Sequence, residues 1–235
     1  YYKGICVFSD FLNLNEQSIF LSMKSELPAI QYDFFGGFPD AERKMLCFCG
    51  NDRITAEKEK LFPITCIRIS PENKKFSDSL THRDFLGAIL HLGIDRSKLG
   101  DILIKEKEGC LFCTSSIHTF IMEQLIKVKH TMVNTAVIEQ EDFQYEPALK
   151  EITGTVSSVR LDSILSVAFQ SSRSSMTSLI KGGKVYVNSR EVVSNSYVLK
   201  DHDVVSVRGY GKFIYTGTSY QTKKGRYSVK VLLYT

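Results

Sequence analysis

Apolar residues recur along the chain at two spacings, and changes of spacing divide it into three stretches. In residues 1–61 the signals are mixed α/β. Ile19, Phe20 and Met23 fall on one face of a helix predicted over 15–26, with Pro28 as its stop. Apolar runs over 30–35 and 43–48 predict strands around the turn Gly36-Gly37-Phe38-Pro39-Asp40, and the charged run 57–60 closes the stretch.

Residues 62–145 are more regular, beginning with a strand over 64–69. Thr81 then opens a helix in which Asp84 can return a hydrogen bond to the cap. Phe85, Leu86, Ile89, Leu90 and Leu92 supply its apolar face, and Gly93 ends it. Strands over 101–105 and 110–114 form a hairpin, followed by a helix over 116–128 and a strand over 131–138. The order β-α-β-β-α-β is that of a ferredoxin-like or RRM-like unit. RNA-reading sheets of that kind expose aromatic residues on their central strands. Phe112 is the sole aromatic of this hairpin, so the topology is expected without that style of base stacking. Acidic residues and Pro147 mark 139–151 as a linker.

From residue 153 the pattern predicts two short helices on a small curled sheet. A helix over 160–169 turns Leu161, Ile164, Leu165 and Ala168 inward. Ser171 or Ser172 caps a second helix that reaches Lys181 and stops at Gly182-Gly183. Lys184-Val185-Tyr186-Val187-Asn188 alternates as a strand. Strands over 204–208, 213–215 and 228–234 follow, the last after the basic turn Lys223-Lys224-Gly225-Arg226. The expected fold class is therefore α+β. It comprises a mixed α/β segment over 1–61, an RRM-like domain over 62–145 and a small α/β domain over 153–235.

Charge sharpens this division. The net charge is +4, but residues 1–150 hold 18 Lys and Arg against 21 Asp and Glu, a net of −3. Residues 151–235 hold 12 against 5, a net of +7. A basic segment on an otherwise acidic chain is the footprint of a polyanion partner, and the acidic half leaves room for a protein partner. No run approaches the roughly 18 apolar residues of a membrane span, and no signal peptide is visible, so a cytoplasmic protein is expected. The chain opens Tyr1-Tyr2-Lys3 without a Met, which leaves an upstream segment open.

The cysteines change the picture little. Cys6, Cys47, Cys49, Cys66, Cys110 and Cys113 sit in apolar runs, which predicts free thiols serving as small core residues. Cys47-x-Cys49 and Cys110-x-x-Cys113 lie in predicted strands without a knuckle glycine, so no zinc site is expected. His82, His91, His118, His130 and His202 share no ligand spacing. No Walker loop, dinucleotide fingerprint or nucleophile elbow occurs, so no catalytic residues, cofactor or metal are assigned.

The candidate chemistry is phosphate binding. Arg160 and Arg173 stand near the starts of two successive helices, Lys181 and Lys184 flank the Gly-Gly stop, and Arg208 and Lys212 flank Gly209-Tyr210-Gly211. The spacing suggests one basic face. Helix starts, guanidinium forks and exposed glycine backbone all suit phosphate. His82 and Arg83, at the start of the helix after Thr81, are a second candidate pair on the same argument.

These residues carry a resemblance. Arg160-Leu161-Asp162, Ser172-Arg173, Leu179-Ile180-Lys181-Gly182-Gly183-Lys184-Val185-Tyr186-Val187-Asn188 and Asp203-Val204-Val205-Ser206-Val207-Arg208-Gly209 resemble the RNA-binding domain named after small-subunit ribosomal protein S-four. The resemblance implies that Arg160, Ser172, Arg173, Lys181 and Lys184 contact RNA backbone. It implies structural roles for Asp162, Gly183, Val185, Asn188 and Asp203. Further upstream, Leu80-Thr81-His82-Arg83-Asp84-Phe85-Leu86-Gly87-Ala88, Lys98-Leu99-Gly100-Asp101-Ile102 and Gly36-Gly37-Phe38-Pro39-Asp40-Ala41-Glu42-Arg43 are similar to the bacterial YlmH family. That family implies a ribosome-associated, non-enzymatic RNA-binding factor acting on ribosomal RNA and transfer RNA at the large subunit, in rescue of stalled translation. Two other classes stay open. One is an RNA-modifying enzyme, a pseudouridine synthase or methyltransferase, for which residues 1–150 lack a cofactor loop. The other is a cell-division adaptor.

Overall fold

The structure, a computed structural model, describes residues 6–23, 26, 31–49, 58–139, 143 and 145–235. Two compact units are present. One comprises Tyr1–Asn13 and Met23–Tyr145, the other Leu14–Ser22 and Glu146–Thr235. Pro28, the expected helix stop, and Glu57 lie outside the described residues.

The first unit opens with β1 (Cys6–Leu12). The helix that follows, α1 (Leu14–Met23), belongs over 14–22 to the second unit. Its expected apolar face does not form: Ile19 and Met23 are half exposed, whereas Gln17 is buried. Leu14, Gln17 and Leu21 share the more buried side of the helix, which turns the side carrying Ile19 and Met23 outward. β2 (Gln31–Phe35) and β3 (Lys44–Cys49) complete an antiparallel sheet in the order β1-β3-β2. The flanking turn places Gly36 where a Cβ would sit 2.3 Å from the Arg43 carbonyl oxygen. Cys6 is disulfide-bonded, against the expectation of free thiols. Cys66, Cys110 and Cys113 are free thiols.

A second sheet follows, built from β4 (Ile64–Pro71), α2 (His82–Leu90), β5 (Leu99–Lys105), β6 (Glu108–Thr114), α3 (His118–Gln124), β7 (Lys127–Val128) and β8 (Thr131–Ile138), in the order β5-β6-β4-β8-β7. α3 is shorter than expected because Lys127 and Val128 pair with β8 across a turn in which Lys129 takes φ 53°. On one face Ile67, Ile69, Leu111 and Cys113 pack with Phe85 and Ile89 of α2 and Ile121 of α3. On the other, Cys66 and Phe112 pack with Phe11, Phe35, Phe38 and Met45 of the N-terminal sheet. Successive strand residues point to opposite faces, which is how neighbouring Phe112 and Cys113 enter different cores.

This second core decides the fate of the sheet face. Phe112 is 2% exposed, with the Phe38 ring at 5.0 Å and the Phe143 ring at 5.1 Å. The YlmH-like strings form the joint. Arg43 donates through Nε to Leu99 O at 2.8 Å and through Nη2 to Phe11 O at 2.8 Å, while the Asp101 carboxylate accepts the Glu42 N–H at 2.6 Å. Arg96 donates to Leu99 O at 2.6 Å, and desolvation, with Arg43 beside it, lowers its pKa to about 10. Residues 31–49 and 62–138 are thus fastened together by motif residues whose work is structural.

The second unit has β9 (Leu149–Val156), α4 (Leu161–Ala168), α5 (Arg173–Lys181), β10 (Val185–Val187), β11 (Arg190–Glu191), β12 (Val204–Val207), β13 (Gly211–Gln221) and β14 (Tyr227–Tyr234). Its six strands run in the order β11-β10-β12-β13-β14-β9. β9 begins inside the stretch read as a linker and pairs with β14 from Leu149–Tyr234 to Val156–Tyr227. The core contains Leu161, Ile164 and Leu165 of α4, Met176 and Ile180 of α5, and Val185, Val205, Phe213 and Val229 of the sheet. At about 1.5–3 kcal/mol per fully buried aliphatic side chain, this cluster holds the two helices on the sheet.

Candidate nucleic-acid interface

The site is organised around Asp162. Arg160 is the N-cap of α4, with φ −112° and ψ 151°, and Asp162 lies in its first turn, 5% exposed. The Asp162 carboxylate accepts from Arg173 Nη2 at 2.7 Å and faces Arg160 Nε at 3.4 Å. A buried carboxylate is stable only with such partners. The arginine side chains remain 42% and 50% exposed, so both keep contact with solvent while the carboxylate accepts a hydrogen bond from Arg173 and forms an ion pair with Arg160. Two guanidinium groups from two helix starts are brought together in this way.

The helix starts contribute less than the sequence suggested. The Leu161 N–H donates to Tyr197 O at 2.9 Å and the Asp162 N–H to Asn195 O at 3.4 Å, so a loop of the same unit closes α4's first turn. Ser172 caps α5, its hydroxyl accepting the Ser175 N–H at 3.2 Å and lying 3.0 Å from Ser174 Oγ. Carbonyl closure of α4 leaves no signal in local spacing, because Asn195 and Tyr197 are more than 30 residues downstream.

Lys181 ends α5, exposed. Gly183 takes φ +64°, and a Cβ there would sit 2.4 Å from Glu191 Oε1. This turn delivers Lys184 beside Arg208, whose N–H donates to Lys184 O at 2.9 Å. Asn188 (φ 48°) and Ser189 (φ 64°) make the two-residue turn into β11. Asn188 Nδ2 donates to Asp203 Oδ1 at 2.8 Å, and the Lys200 N–H donates to Asp203 Oδ2 at 2.8 Å. Asn188 and Asp203 therefore pin the loop between the strands that carry Lys184 and Arg208. Gly209 and Gly211 have positive φ, with open space where a Cβ would be, and Tyr210 between them packs its ring against Phe169 at 5.6 Å.

Lys212 corrects the expectation of one basic face. It pairs with Ser206 in register, one residue from the Val205–Phe213 pair that faces the helices. Strand alternation puts Lys212 on the opposite face, where its ammonium lies 4.3 Å from the Tyr234 ring centroid. The basic residues thus fall into an Arg160–Arg173 pair, a Lys184–Arg208 corner with Lys181 nearby in sequence, and a Lys212 position apart.

In the first unit, His82 and Arg83 are exposed at the start of α2, but that start already holds an anion. The Asp84 carboxylate accepts the Thr81 N–H at 2.8 Å and the Thr81 hydroxyl at 2.7 Å, with Lys129 Nζ at 3.0 Å. Those bonds pull its pKa to about 2. Desolvation, then the Arg96 charge, holds His82 below its usual value. Helix-dipole capture of phosphate, the argument for this pair, is pre-empted by Asp84. Among the described residues no cluster of three or more His, Cys, Asp or Glu is placed to hold a metal. No helix among them is long and apolar enough to cross a membrane.

Comparison with known proteins divides along the same units. Residues 58–142 match the family described as "Putative RNA-binding domain in YlmH", and residues 159–205 match the S4 domain. The "Ribosome-associated protein quality control protein P2" of Bacillus subtilis (strain 168) is 31% identical over 225 residues, which span 94% of this chain and 84% of that protein. The chain belongs to the YlmH family. A solved structure, the cell division protein ylmH from Streptococcus pneumoniae, aligns with a TM-score of 0.47 at 17% identity, over 59% of this chain and 81% of that one. The S4 match contains Arg160, Asp162, Ser172, Arg173, Lys181 and Lys184 and stops before Arg208 and Lys212.

Proposed function

We propose that this YlmH-family chain is a cytoplasmic, ribosome-associated RNA-binding factor with no catalytic step of its own. In this reading it binds ribosomal RNA of the large subunit, and transfer RNA held there, during rescue of stalled translation. The observation that carries it is the Arg160–Asp162–Arg173 cluster, within a segment that matches the S4 domain and inside the basic stretch 151–235. Two guanidinium forks oriented by one buried carboxylate suit RNA phosphates, which are recognised by geometry as well as charge. The quality-control role in the name of the Bacillus subtilis relative supports the ribosomal setting. RNA contacts fall in this reading to Arg160, Ser172, Arg173, Lys181, Lys184 and Arg208, with Lys212, His82 and Arg83 peripheral.

For residues 62–145 we propose an RRM-like, ferredoxin-type unit, supported by the antiparallel order β5-β6-β4-β8. Its sheet face is filled by the N-terminal sheet, so RNA held by this unit would lie elsewhere on it. Sedimentation of a bacterial lysate through sucrose tests the proposal. The protein is expected with the large subunit, released by nuclease, and displaced to the top by a combined Arg160→Ala, Arg173→Ala variant. Co-sedimentation that survives both nuclease and the variant would point instead to protein-mediated attachment, as an adaptor would show.

A further inference from the structure

The segment that matches the S4 domain ends at residue 205, yet the sheet of the second unit continues. The β12–β13 ladder reaches only Ile214, whereas β13 and β14 pair onward to Gln221 and Tyr227, with register shifts between Tyr215 and Tyr220. Between Thr218 and Tyr227 this hairpin carries residues that no core or site described so far uses.

Its tip is held by four hydrogen bonds of its own. The Thr222 N–H donates to Arg226 O at 2.7 Å, the Gly225 N–H to Thr222 O at 2.9 Å, the Arg226 N–H to Thr222 Oγ1 at 3.0 Å and Gln221 Nε2 to Gly225 O at 3.1 Å. Arg226 Nη2 also donates to Thr155 O at 2.6 Å, tying the tip to β9. Lys223 and Lys224 are exposed on this fixed turn, and Tyr220 and Tyr227 beside them are 64% and 38% exposed. Residues 204–235 contain six Lys and Arg and no Asp or Glu. Asp201, which packs against Gly217, brings a carboxylate to the base of the hairpin, not to its tip.

Lysines on an ordered turn can neutralise phosphates, and exposed phenol rings can stack on unpaired bases. An acidic protein surface would match the lysines, but only nucleic acid offers flat bases beside each phosphate. We propose that residues 218–227 form a second RNA-contacting arm, in which Lys223 and Lys224 meet phosphates, Tyr220 or Tyr227 stacks on an unpaired base, and Arg226 positions the turn. This rests on the RNA-binding reading above.

The test uses the full chain and bacterial large-subunit ribosomal RNA, with affinity measured across a salt series. The Lys223→Gln, Lys224→Gln variant is expected to melt like wild type and to have a shallower log–log salt slope, by about 0.7–0.9 for each lysine removed. The Lys223→Arg, Lys224→Arg variant should restore the slope, and Tyr220→Ala with Tyr227→Ala should weaken binding at every salt concentration while leaving the slope unchanged. A wild-type slope in the Gln variant, alongside a reduced slope for Arg173→Ala, would overturn the arm and leave the RNA reading intact. Absence of RNA binding by the wild-type chain would overturn both. Loss of binding to a ribosomal protein with RNA binding unchanged would assign the tip to a protein partner and overturn the arm.

Discussion

In the proposed function Asp162 serves RNA binding without touching RNA, by positioning two arginines. Its carboxylate is buried and faces two arginines that stay about half exposed. Attraction between exposed charges is heavily screened, but a buried acceptor that loses its partners, or partners that lose it, cost more. Asp162→Ala is expected to lower unfolding stability by about 1–3 kcal/mol in urea titration, a range reduced from that of a fully buried pair because both arginines see water. RNA affinity should fall as well, because the guanidinium groups lose the support that orients them. A variant with wild-type stability and wild-type RNA affinity would show that Asp162 positions nothing. The residue roles that could be read from the sequence were those with a short-range cause. Ser172 as a cap and Gly182-Gly183 as a helix stop each announce themselves within a few positions. Lys212 was misplaced because basic spacing alone does not say which face of a strand a residue takes.

Among the elements, the helices and strands with regular apolar spacing were legible. α2, α4, α5, β4 and β8 lie within one to three residues of their predicted limits. The elements missed have no clear period. β9 carries Lys150, Glu151 and Gly154 and is a strand because β14 offers it a continuous ladder, a long-range cause. α1 formed where expected but buried the side that carries Leu14, Gln17 and Leu21 and not the side of Ile19 and Met23, because apolar residues lie on both sides of it. The covering of Phe112 by the N-terminal sheet was likewise invisible locally, though the sparse aromatics of the hairpin pointed away from base stacking. The junction of α5 and β10 gives the sharpest test at this scale. Gly183→Ala places a side chain at φ +64° and against the Glu191 carboxylate, and should cost about 1–2 kcal/mol in thermal or chemical unfolding. A change within about 0.5 kcal/mol, the ordinary range for a surface substitution, would show that the left-handed turn is not needed to set Lys184 beside Arg208.

For the molecule as a whole, labour is divided between an acidic unit whose motif residues fasten two sheets together and a basic unit whose arginines and lysines face solvent. In the proposed function the basic unit grips RNA through phosphates. The most direct measurement is the affinity of the full chain for bacterial large-subunit ribosomal RNA across a salt series. With Arg160, Arg173, Lys181 and Lys184 each meeting a phosphate, log Kd should rise linearly with log salt, with a slope of at least roughly 3. Arg173→Ala should lower that slope by about one contact. An affinity that does not respond to salt, or a slope that Arg173→Ala leaves unchanged, would contradict the claim.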